Sequence, residues 1–107
     1  MDNKTIILKP FDDTSAELLQ TATIRTAEQL NRHNPTQAAI LRRMAMNLDS
    51  PSHDIGELTI ISAFLLQLSV QQFAAQVTDQ NHAAMLYEIA QDITDKIHAH
   101  KDQEPCD

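Results

Sequence analysis

The sequence predicts an all-α fold, a small antiparallel four-helix bundle with a short extended N-terminal arm. Three observations predict it. Helix-capping patterns recur before apolar runs. Apolar residues return at intervals of 3 and 4, the helical period. The segments between these runs are short, which favours antiparallel neighbours in a bundle.

Residues 1–12 read as an extended arm, because Thr5 to Leu8 are strand-prone and Pro10 stops a helix. The first helix is expected near Thr14. Thr14-Ser15-Ala16-Glu17 has the form of a capping box, preceded by Asp12 and Asp13. Leu19, Ala22, Thr23, Thr26, Ala27 and Leu30 make its weakly apolar face, and Pro35 ends it near Arg32 or His33. The second helix has Asn34 as cap, Pro35 in its first turn and Gln37 three residues after the cap. Ile40, Leu41, Met44, Ala45 and Leu48 share one side of it. Residues 49–53 form a loop by composition.

The third helix is expected to open at Asp54, with Glu57 at its third position. From Leu58 to Val77 its apolar residues point almost all the way round, so it is expected to be buried on most sides. Thr59, Ser62, Ser69, Gln72 and Gln76 form a narrow uncharged stripe. A turn at Thr78–Asn81 precedes a fourth helix over about His82–His100, with a clean stripe of Leu86, Ile89, Ala90, Ile93 and Ile97. Glu88, Asp92 and Asp95 lie opposite that stripe. Residues 101–107 read as a flexible polar tail. The whole chain, 1–107, is expected to be one domain.

Composition excludes several functions. A single glycine leaves no phosphate-binding glycine loop. A single cysteine, Cys106, allows neither a disulfide framework nor a multi-cysteine zinc site, and it is expected to remain a free thiol. The net charge of −7 argues against general nucleic-acid binding. Only Ile6 to Leu8 are consecutively apolar near the N-terminus, too few for a secretory signal, so a cytoplasmic protein is expected. Thirteen of the 21 residues from Leu58 to Thr78 are apolar, too few for a convincing membrane span.

The charge is unevenly placed. Residues 1–53 carry six basic and six acidic side chains, whereas 54–107 carry two and nine. Glu88, Asp92 and Asp95 therefore form a candidate face for a partner with a basic surface. A chain of this size has too few helices to wrap the third one completely. Leu65, Leu66, Phe73, Gln72 and Gln76 are the candidate contacts of a homodimer.

Chemistry finds little support in the sequence. His98 and His100 diverge by about 200° on a helix and cannot easily share a metal. His33 and His53 sit at helix ends, where histidine is ordinary. The serines lack a nucleophile elbow, and the carboxylates have no partner Glu-x-x-His pair. No catalytic residue, cofactor or metal site is expected.

The sequence thus favours a non-catalytic helical interaction module, an adaptor or regulator acting by stoichiometric protein binding. Two alternatives stand beside it. One is an acidic inhibitor of the phage or mobile-element type that blocks a nucleic-acid-binding surface on its target. The other is a transcriptional regulator using Arg42 and Arg43.

Overall fold

The computed structural model describes residues 5–8, 10–51 and 53–102. It shows a four-helix bundle with one small addition, a two-stranded ribbon. In order the elements are β1 (Thr5–Ile7), α1 (Asp13–Leu30), α2 (Pro35–Leu48), β2 (Glu57–Thr59), α3 (Ile60–Gln76) and α4 (Gln80–Asp102). β1 and β2 pair antiparallel, with Thr5 opposite Thr59, Ile6 opposite Leu58 and Ile7 opposite Glu57.

The helices begin where a side chain satisfies their free N–H groups. Asp12, rather than Thr14, caps α1: its carboxylate accepts the Ser15 N–H at 2.7 Å. This bond holds the Asp12 carboxyl below the ordinary carboxylate range. A carboxylate is the stronger acceptor at a helix N-terminus, so the helix starts ahead of the expected box. α1 also closes at Leu30, slightly before the expected end. Asn34 caps α2 as expected and accepts the Gln37 N–H at 3.1 Å. Asp79 caps α4 by accepting from the N–H groups of Asn81 and His82 at 2.9 and 3.2 Å. The His82 bond is the main cause that lowers the Asp79 pKa.

The start of α3 corrects the sequence reading. Asp54 does not cap it. Its carboxylate accepts the Gly56 N–H at 2.9 Å, forming a local turn. Gly56 then adopts φ +81°, a left-handed conformation that glycine tolerates without strain. A Cβ there would meet nothing within 4 Å, so the requirement comes from the backbone alone. The chain leaves this turn extended, pairs as β2, and enters α3 only when the Thr59 hydroxyl accepts the Ser62 N–H at 3.1 Å. At the other end, α4 runs on through Asp102, so the first two residues of the expected tail are helical. Residues 103–107, including Cys106, lie outside the described residues.

The helices form two hairpins, α1 with α2 and α3 with α4, which pack against each other chiefly through α1 and α3. Small residues allow close approach: Ala16, Ala22 and Ala27 of α1 and Ala38 of α2 are almost wholly buried. Leu19, Leu41, Leu48, Leu66, Leu86, Ile93 and Ile97 fill one continuous core. Ile6 and Leu8 of the arm and Leu58 of β2 complete it, so the ribbon closes one side of the bundle. Two hydroxyls inside are satisfied by carbonyls of their own helices. Thr23 donates to Leu19 at 3.0 Å and Ser69 to Leu65 at 2.9 Å.

Candidate interaction surface

α3 contains no Asp, Glu, Lys, Arg or His between Ile60 and Gln76. Such a helix has no charged side, and packing against its neighbours decides which side faces out. Ala63, Leu65, Leu66, Ser69, Val70 and Ala74 are buried. Ile61, Phe64 and Leu68 keep 61%, 46% and 42% of their surface exposed. At spacing i, i+3 and i+7 they form one apolar stripe. Gln71, Gln72 and Ala75, all exposed, continue it towards the C-terminal end. On one flank Gln67 donates to the Thr94 hydroxyl of α4. On the other, Arg25 of α1 reaches Gln76 at 3.4 Å and lies 5.1 Å from the Phe73 ring centroid.

This arrangement revises the expected interface set. Leu65 and Leu66 are 6% and 0% exposed, so they belong to the chain's own core and are unavailable to a second copy. Phe73 is half-buried beneath Arg25, and Gln76 accepts from the same guanidinium. Gln72 is exposed at the edge of the stripe. The uncovered surface is Ile61, Phe64 and Leu68 instead. Their helical spacing was visible in the sequence. Which side the neighbours cover was not, because α3 carries no charge and its polar residues mark both sides: Ser69 is buried whereas Gln71 and Gln72 are exposed.

On α4, Glu88, Asp92 and Asp95 are exposed. Two of the three are engaged along the helix. Lys96 donates to both Asp92 oxygens at 2.7 and 2.8 Å, and Gln91 donates to Asp95 at 2.9 Å. Tyr87, the chain's single tyrosine, is 53% exposed on the same helix.

A wide groove of about 650 Å³ runs between α2 and β2. Ile40, Met44, Ile55 and Leu58 supply its apolar lining, with Arg43 and Glu57 as its charges. Arg42, next in sequence, points elsewhere and donates to the Asn31 side chain at 3.3 Å. The two arginines thus occupy different surroundings.

Among the described residues no three His, Cys, Asp or Glu side chains are placed to hold a metal. The His100 and Asp102 side chains and Cys106 lie outside the described residues. No helix among the described residues is long and apolar enough to cross a membrane. No protein-family model matches the chain, and no curated protein or solved structure is significantly similar to it.

Proposed function

We propose that the protein is a non-catalytic interaction module that self-associates through the outer face of α3. One observation carries this reading: Ile61, Phe64 and Leu68 stand exposed in a row on a helix without charge. Large contiguous apolar surface is rare on a monomer and is typical of interaction sites.

Magnitudes set the kind of dimer. Burying an Ile, Leu or Phe side chain fully is worth about 1.5–3 kcal/mol; these three begin about half covered, so two copies gain roughly 5–9 kcal/mol. Association itself costs about 4–15 kcal/mol. The terms are of similar size. The favourable ends of both ranges leave a surplus of about 4–5 kcal/mol, so the dimer is reversible, with a dissociation constant of roughly 0.1 to 1 mM. Sedimentation equilibrium over a dilution series tests this. Self-association appears as a mass rising from 12.0 kDa towards twice that value. A constant monomer mass up to about 1 mM, the weak limit of that range, contradicts it.

A second reading rests on the exposed acids of α4. In it, Glu88, Asp92 and Asp95 meet a basic partner surface, as an inhibitor of a nucleic-acid-binding protein would require. Such binding weakens steeply with salt, whereas association through α3 does not.

A further inference from the structure

We propose that His53 is a proton-operated latch joining the start of α1 to the end of α2. Its Nδ1 lies 2.8 Å from the Leu48 carbonyl oxygen, and its Nε2 lies 2.7 Å from Asp13 Oδ1. A carbonyl can only accept a hydrogen bond, and so can an ionised carboxylate. Neutral imidazole carries one N–H, whereas imidazolium carries two. Only the protonated ring donates to both partners at once.

The surroundings favour that charge. From α1, Asp13 and Asp12 both act on the ring. From α2 comes the Leu48 carbonyl at the helix C-terminus, where the dipole favours a cation. On the ring's own segment the flanking charged residues are Asp49 and Asp54. The Leu48 bond, then the Asp13 bond, raise the His53 pKa above the ordinary histidine value, against a smaller opposing effect of desolvation.

The backbone of His53 is part of the same device. Its φ of +51° lies in the left-handed region, which a histidine seldom adopts. Contacts hold it there: its N–H donates to the Ser50 carbonyl at 3.0 Å, and its carbonyl accepts the Phe11 N–H at 3.1 Å. One residue therefore fastens the arm, α1 and α2, immediately before the Asp54–Gly56 turn into β2.

Loss of the proton leaves one N–H for two acceptors. The Asp13 side chain is 97% exposed, against 23% for His53, so water readily replaces the ring at that carboxylate. The Leu48 bond is retained and the Asp13 link opens. Because the folded-state pKa is raised, the latch's stabilisation is complete below the unfolded value of about 6.5. It fades as pH rises through the higher folded-state value.

The test is a titration of the full chain by NMR, following the His53 ring nitrogens and the Phe11 amide. Expected is a His53 midpoint above about 6.5, with both nitrogens protonated below it. Phe11 protection, corrected for intrinsic exchange, then falls across that midpoint. Asp13→Asn lowers the midpoint and removes the step in Phe11 protection. His53→Asn removes the step too, and asparagine suits a left-handed backbone, which favours retention of the fold. The wild-type ring titration stands alone should a variant fail to fold. A midpoint at or below the ordinary value, a singly protonated ring at pH 6, or a Phe11 step that survives Asp13→Asn overturns the latch.

Discussion

α3 and α4 lie side by side, joined through Gln67 and Thr94, yet they solve the problem of facing water in different ways. α4 is divided: Leu86, Ala90, Ile93 and Ile97 are buried, while Glu88, Asp92 and Asp95 face out. α3 is not divided. It buries one set of apolar residues and leaves another, Ile61, Phe64 and Leu68, exposed. A helix with a charged outer face needs no further cover. A helix without one leaves apolar surface in water that a partner could cover. The candidate surface is therefore placed by the contrast between the two helices.

The contrast is broken first within α3 itself. Leu66→Ala removes a fully buried side chain and is expected to destabilise the fold by about 2–5 kcal/mol. Leu68→Ala, two residues on, removes a side chain only about half covered and is expected to cost about 1 kcal/mol in the monomer, well below the Leu66 loss. Chemical denaturation at low protein concentration measures both. Similar losses at the two positions would mean that the outer face of α3 is covered within one chain.

A smaller effect concerns where α3 begins. Thr59→Ala removes the hydroxyl that accepts the Ser62 N–H, at an expected cost of about 1 kcal/mol. Asp54→Ala leaves this cap intact and is expected to perturb mainly the Gly56 turn. An α3 N-terminus that frays in Asp54→Ala but not in Thr59→Ala, read from helical amide exchange, would restore the start expected from sequence.

The smallest effect belongs to α4. Asp92→Asn breaks the i, i+4 pair with Lys96 at an exposed site, worth less than about 0.5 kcal/mol. A larger loss in thermal unfolding would show that the outer side of α4 carries structure as well as solubility.

The same contrast explains what could be read from the sequence. α2 was legible because cap chemistry and the 3–4 apolar period agreed, and the body of α4 because its apolar stripe keeps that period unbroken. The start of α3 was misread because Asp54 and Glu57 imitate a capping pattern. The competing fate of residues 57–59 depends on a partner strand some fifty residues earlier, at Thr5–Ile7. Long-range pairing leaves no local mark. The exposed stripe was half legible: the sequence implied uncovered apolar surface on α3 but assigned Leu65 and Leu66 to it. The role of His53 was invisible, since its partner Asp13 lies 40 residues away.

The proposed interface is the uncharged face of α3 and not the charged face of α4. Sedimentation equilibrium of Phe64→Asp beside Glu88→Lys tests it most directly, with circular dichroism confirming that both remain folded. Phe64→Asp is expected to stay at 12.0 kDa at concentrations where wild type and Glu88→Lys both associate. Association that survives Phe64→Asp, or is lost in Glu88→Lys alone, would contradict it.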